Sequence, residues 1–133
     1  MPLKVLIVED EVLVALEIEC IVEDLGHVAC GIATSSTDAA RIARVHKPEV
    51  ALVDLHLADG LTGPAVGRDL AEAGVKVVFV TANPRLLGLG IPGTLGVVEK
   101  PTDERAIAQV VSWVAQRVSG AALPAPPSLL AFS

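Results

Sequence analysis

The sequence predicts an α/β domain, a three-layer (βα)5 sandwich in which helices cover both faces of a five-stranded parallel sheet. Three observations carry that prediction. Runs rich in Val, Ile and Leu recur at Leu3 to Val8, His27 to Ile32, Val50 to Val53, Lys76 to Val80 and Leu95 to Val98. Continuous apolar runs this short read as strands buried on both faces. Segments with helical spacing separate them, so strand and helix alternate along the chain. The 133 residues, 52% of them apolar, suffice for one sizeable core.

The first strand is followed by Val14, Ile18, Ile21, Val22 and Leu25, one apolar helical stripe, with Gly26 where that helix would stop. After the second strand, Ser35 and Asp38 form a capping box ahead of residues 39–46, and Pro48 closes the segment. Thr62 is placed to cap a third helix, with Pro64 in its first turn and Gly74 beyond its end. The stretch after the fourth strand, residues 82–94, holds three glycines and two prolines. These penalise a helix, so the fourth helix is expected to be short or disordered. Asp103 opens the last helix, whose inward stripe is Ile107, Val111, Val114 and Val118. A folded domain over 1–118 is therefore expected. Pro124, Pro126 and Pro127 cannot continue a helix, and the tail 119–133 is expected to be flexible. The alternative is that Leu129, Leu130 and Phe132 dock on the domain or on a partner. Trp113, beside the last stripe, either packs on a neighbouring element or marks a partner face.

Only Phe79, Trp113 and Phe132 are aromatic, so the core is aliphatic. The net charge of −6 argues against a nucleic-acid binder, which needs cations against phosphates. Cys20 and Cys30 lack the short spacing of a zinc site and read as buried thiols in a reducing compartment. No signal peptide is evident, and no run approaches the ~20 apolar residues that span a bilayer. A soluble cytoplasmic protein without membrane partners, monomeric or a weak dimer, is the expectation. His27 and His46 have no ligand partner at metal spacing and receive no role.

Ligands of open parallel sheets collect beyond the carboxyl ends of the strands. There the sequence puts Glu9 and Asp10, then Asp54, then Thr81, then Glu99, Lys100 and Pro101. Carboxylates crowded together repel one another unless a cation neutralises them, and an all-oxygen set suits Mg²⁺. One carboxylate could then act as nucleophile toward a phosphoryl group, while the metal, Lys100 and the Thr81 hydroxyl hold the charge on its equatorial oxygens.

Val-Glu-Asp-Glu at 8–11, Leu-Val-Asp-Leu at 52–55, Val-Thr-Ala at 80–82 and Glu-Lys-Pro at 99–101 resemble the receiver domains of two-component response regulators, over about residues 3–118. The resemblance implies a flavodoxin-like sheet in the order 2-1-3-4-5 and Asp54 as phosphoacceptor. It implies Mg²⁺ held by Glu9, Asp10 and Asp54 with the backbone carbonyl of His56, Thr81 as switch hydroxyl and Lys100 as the phosphate-binding lysine. It further implies a cis bond between Lys100 and Pro101, a histidine kinase or histidine phosphotransferase as partner, and no turnover beyond the domain's own Mg-dependent phosphorylation and dephosphorylation.

The chain departs from the family at several positions. Val97 stands where the family carries an aromatic coupled to the switch hydroxyl. Leu57-Ala58 replaces Met-Pro, and Thr102 replaces an aromatic after the Lys-Pro pair. Phe79-Val80-Thr81-Ala82, the weak fourth helix and Val97 are similar to an atypical alphaproteobacterial group typified by Phe-Ala-Thr-Gly-Tyr. His56 and Asn83 are expected to tune phosphoaspartate hydrolysis. Three functions compete. The first is a stand-alone receiver signalling through phosphorylation-dependent protein contacts. The second is a pseudo-receiver that is not phosphorylated. The third is an enzyme on the same fold, and it fails because the first strand-to-helix turn reads Glu-Asp-Glu-Val-Leu rather than Gly-x-Gly-x-x-Gly.

Overall fold

In the computed structural model, which describes residues 2–100 and 103–132, the expected alternation is present. The order is β1 (Lys4–Val8), α1 (Val12–Asp24), β2 (Val28–Ala33), α2 (Ser36–His46), β3 (Val50–Val53), α3 (Gly63–Glu72) and β4 (Lys76–Thr81). A 3₁₀ turn (Pro84–Leu87), β5 (Gly96–Glu99), α4 (Glu104–Val118) and β6 (Leu129–Ala131) complete it. The parallel strands lie in the order 2-1-3-4-5, and β6 adds an antiparallel strand beyond β5.

Strand alternation splits the core into two layers. Val5, Ile7, Leu52, Val78, Val80 and Val98 meet α1 and α4 on one face. Leu6, Val8, Val53, Val77, Phe79 and Val97 meet α2 and α3 on the other. β2 is an edge strand, mostly half-buried, so the expectation of burial on both faces fails there. Leu25 and Val118 lie at exposed helix ends rather than on the inward stripes. Cys20 is exposed and Cys30 half-buried, which corrects the expectation of two buried thiols.

The helix starts differ in how they are held. Ser35 caps α2 by accepting from Asp38 N at 3.2 Å. Asp103 caps α4 through Ala106 N at 2.7 Å. Thr62 does not cap α3, because its hydroxyl donates to Asp59 at 2.7 Å. Gly63 instead lets the first turn of α3 lie directly on the chain that carries Asp54. A Cβ at Gly63 would stand 2.0 Å from the carbonyl oxygen of Asp54 and 2.5 Å from Cα of Leu55.

Of the two readings of the tail, docking describes Leu129 and Phe132. Leu129 is buried in the α1/α4 layer. Phe132 packs on the α2/α3 layer and donates its backbone N–H to Leu95 O at 2.9 Å. Leu130 stays 67% exposed. Trp113 packs inward, its indole N–H donating to Leu123 O at 3.0 Å and its ring lying 5.0 Å from the Arg117 guanidinium. His27, given no role by its spacing, accepts from Leu3 N through Nδ1 at 3.0 Å, which fixes the entry to β1.

Because backbone cannot yield as a side chain can, Gly63→Ala is expected to cost about 3 kcal/mol. Thermal denaturation followed by circular dichroism should then show a midpoint lowered by roughly 10 °C.

Candidate functional site

β1 and β3 are neighbours, while β2 lies on the far side of β1. The sheet therefore changes winding direction between β1 and β3, and a crevice opens there at the carboxyl ends. Glu9 and Asp10 leave β1 into it and Asp54 leaves β3. One carboxylate oxygen from each of the three lies within 4.8 Å of the others. Glu9 and Asp54 are buried and Asp10 is exposed, so the cluster has a closed floor and an open rim.

Lys100, just past β5, reaches back across the crevice. Its ammonium donates to Glu9 Oε1 and, at 2.9 Å, to Asp54 Oδ2. The remaining carboxylate oxygens are also engaged. Glu9 Oε2 accepts from Glu11 N at 3.2 Å, and Asp54 Oδ1 accepts from Leu55 N at 2.7 Å. Burial pushes the Glu9 carboxyl up to about 7, against the lowering effect of its bonds from Lys100 and Glu11 N. For Lys100, burial alone would favour the neutral amine. Its hydrogen bonds to Glu9 and Asp54 and the charge of both carboxylates together outweigh burial and raise its pKa above the ordinary lysine value.

Thr81, 1% exposed at the end of β4, accepts from Asn83 N at 3.1 Å through its hydroxyl oxygen. The Thr81 backbone carbonyl takes the N–H of Lys100 at 2.8 Å, which fixes the lysine's root to β4. The structure thus gathers Glu9, Asp10, Asp54 and Lys100 around one crevice and sets Thr81 on the strand between β3 and β5. His56 is exposed in the loop after β3. Pro101 and Thr102, and with them the expected cis bond, lie outside the described residues.

Sequence reasoning missed Asp59. Its carboxylate accepts from Ser36 N at 3.1 Å, from the Ser36 hydroxyl and from the Thr62 hydroxyl. The Ser36 and Thr62 bonds hold its carboxyl below the usual range. Asp59 therefore ties the loop after Asp54 to the start of α2. Ser36 and Asp59 are 23 positions apart, so no local pattern announces the pair.

The donor set is made of hard oxygens arranged around an open rim, a chemistry that fits a divalent cation of the Mg²⁺ class. A second feature adjoins it. Leu13, Leu16 and Cys20 of α1, with Val80, Lys100 and Ile107, line a groove of about 670 Å³. Leu13 is 77% exposed in it.

The sequence profile of the response regulator receiver domain matches residues 5–112. The phyllosphere-induced regulator PhyR of Methylorubrum extorquens is 38% identical over 115 residues, 84% of this chain and 43% of PhyR. The chain thus spans under half the length of that relative. A double mutant of the anti-anti-sigma factor PhyR from Bartonella quintana superposes with a TM-score of 0.80 at 31% identity, over 91% of this chain and 51% of that one. The same PhyR, complexed with the anti-sigma factor NepR, matches with a TM-score of 0.56 at 36% identity, over 59% of this chain and 33% of that one. The solution structure of the PhyR receiver domain from Erythrobacter litoralis gives a TM-score of 0.77 at 31% identity, over 94% of this chain and 96% of that one.

Glu9 gives a pH signature. A carboxyl raised from 4.5 to about 7 stabilises the fold fully below the lower value and loses that contribution as pH rises through the upper one. Without divalent cations, the thermal midpoint should therefore be higher at about pH 5.5 than at about pH 8, and Glu9→Gln should shrink the difference. Cation binding measured by calorimetry should strengthen over the same range, because the cation requires the ionised carboxylate.

Proposed function

The chain belongs to the response regulator receiver domain family, and from that premise we propose that Asp54 accepts a phosphoryl group from a histidine kinase or histidine phosphotransferase. The observation that carries this reading is the Lys100 ammonium bridging Glu9 and Asp54 at the winding reversal, with Asp10 at the rim. Glu9, Asp10 and Asp54, with the backbone carbonyl of His56, are the residues that would hold Mg²⁺. When bound, that ion supplies neutralisation of the carboxylates and of the charge on the transferred phosphoryl group.

Asp54 is set up as a nucleophile. Leu55 N fixes one carboxylate oxygen, and the other is oriented by Lys100. In the transfer, an Asp54 oxygen forms a bond to phosphorus while the phosphorus–nitrogen bond of the donor phosphohistidine breaks. The departing imidazole keeps the electron pair and takes up a proton. Lys100 then moves its charge from the Asp54 oxygen to a phosphoryl oxygen, and the Thr81 hydroxyl donates to another. Water attack on phosphorus later returns the carboxylate. The side chains of His56, in the loop after β3, and of Asn83, two positions beyond Thr81, would set the rate of that step.

A donor must bring its phosphohistidine to the rim. The apolar face Leu13, Leu16 and Cys20 beside Lys100 suits the side of a helical donor. The signal would leave by phosphorylation-dependent protein contacts, and one relative, Bartonella quintana PhyR, forms a complex with the anti-sigma factor NepR. The receiver itself is a switch with its own phosphoryl chemistry rather than an enzyme acting on an external substrate.

Incubation with Mg²⁺ and acetyl phosphate should give a single phosphoryl adduct by intact mass, acid-stable, base-labile and absent from Asp54→Asn. An unmodified wild-type chain under every phosphodonor would refute the reading. Leu13→Asp should slow transfer from a phosphohistidine protein by about tenfold, a loss of ~1.4 kcal/mol at a contact centre, while the acetyl phosphate rate stays near wild type. His56→Ala and Asn83→Ala should each change the phosphoaspartate lifetime measured by loss of the adduct.

A further inference from the structure

The chain lacks the family's aromatic at position 97, yet an aromatic does stand on that face, and it comes from the tail. Val97 is buried among the α2/α3-facing residues together with Leu87. Its partner across the β5–β6 ladder is Leu130. Two positions on, Phe132 packs against the same layer. Its ring lies on the backbone of Gly90, where a Cβ would meet ring carbons at 2.7 to 3.0 Å.

The segment under that ring leads directly from the site. Thr81 holds Asn83 N, Asn83 O takes Leu86 N, and the 3₁₀ turn runs on to Gly88 and Gly90. Gly88, Gly90 and Gly93 all have positive φ. Among the described residues the backbone hydrogen bonds within 83–94 join positions three apart: Leu86 N to Asn83 O, Gly88 N to Arg85 O, Gly90 N to Leu87 O and Thr94 N to Ile91 O. Among the described residues no ladder bond anchors this stretch to the sheet, so side chains decide its position: Leu87 and Ile91 pack on the α2/α3 layer and the Phe132 ring lies on Gly90.

The tail is held by a short ladder, by Leu129 in the α1/α4 layer and by the Phe132 N–H on Leu95 O. β6 has three residues in register with β5, Leu129 with Val98, Leu130 with Val97 and Ala131 with Gly96. Leu123 O is tied to the Trp113 indole. Among the described residues Ser128 Oγ is buried with no hydrogen-bond partner.

We propose that β6 is a releasable strap and that Phe132 senses the state of Asp54 through Thr81, Asn83 and the 84–91 turn. The proposal rests on Asp54 being the phosphoacceptor. When the Thr81 hydroxyl turns to a phosphoryl oxygen, Asn83 N loses its acceptor and the turn shifts. Phe132 then loses its seat on Gly90, and β6 leaves the β5 edge. The output is an unpaired edge at Gly96–Val98 with Leu129, Leu130 and Phe132 set free.

The full chain carries its own reporter, since Trp113 is its one tryptophan and it has no tyrosine. With Mg²⁺ and acetyl phosphate, three quantities are followed: the adduct by intact mass, Trp113 emission, and amide exchange of Leu129 to Phe132. In the phosphorylated chain, exchange of those amides should rise at least about tenfold, or ~1.4 kcal/mol, and the emission should shift to the red. An adduct on Asp54 with unchanged exchange and emission would overturn the strap and leave the phosphoacceptor reading standing. No adduct at all would overturn both. Phe132→Ala should show the released exchange and emission before phosphorylation, with little further change after it. Wild-type exchange in unphosphorylated Phe132→Ala would show that the ring does not hold the strap and would overturn the proposal independently.

Discussion

The bridge from the Lys100 ammonium to Glu9 and Asp54 is the contact on which the site depends. Glu9 is 2% exposed, and a carboxylate so buried is costly without a partner. Lys100 supplies that partner from β5, while Glu9 stands on β1 and Asp54 on β3. The bond network therefore draws three strand ends together, and the Thr81 carbonyl fixes the lysine from β4 between them. Removing the lysine alone would leave two buried carboxylates facing each other, whereas the three groups together form a charge arrangement that a hard cation can enter from the Asp10 side.

Two packing decisions support this arrangement from beneath. On the α2/α3 face, Gly63 allows α3 to approach the Asp54 backbone, and Gly67 allows the same helix to approach Phe79, where a Cβ would stand 2.3 Å from the ring. Phe79 is the largest fully buried side chain of that layer. Asp59 closes the loop between them by binding the start of α2. The loop that carries Asp54 is thus pinned by close backbone contact on one side and by hydrogen bonds on the other, which suits the nucleophilic role proposed for Asp54.

The chain beyond the carboxyl end of β4 is built the other way. After Asn83 the chain carries glycines at positive φ, a single 3₁₀ turn and only local backbone bonds. Segments with so few anchoring bonds sit at the low end of local stability, where switching elements are drawn from. The rigid pocket and the loosely held turn share Thr81, whose carbonyl serves the lysine and whose hydroxyl serves the turn. The single 3₁₀ turn is what the glycines and prolines of residues 82–94 predict, and Val97 is buried in the α2/α3 layer where the resemblance expects an aromatic.

The sequence by itself determined the parallel strands, the helices between them and the positions at which Glu9, Asp10, Asp54, Thr81 and Lys100 leave the sheet. These are local signals: apolar runs of strand length, helical stripes, and polar residues directly after each run. The resemblance to receiver domains added the strand order, which periodicity alone does not contain. Tertiary structure decided the rest. It turned 129–131 into a sixth strand, because three residues have too little local pattern to announce pairing and their partner is some thirty positions away. It seated Phe132 on Gly90, took the Thr62 hydroxyl for Asp59 rather than for the helix start, and left Cys20 on the surface. The strand pairing and the seat of Phe132 are contacts between segments distant in sequence, and such contacts exist only once the sheet has brought those segments together.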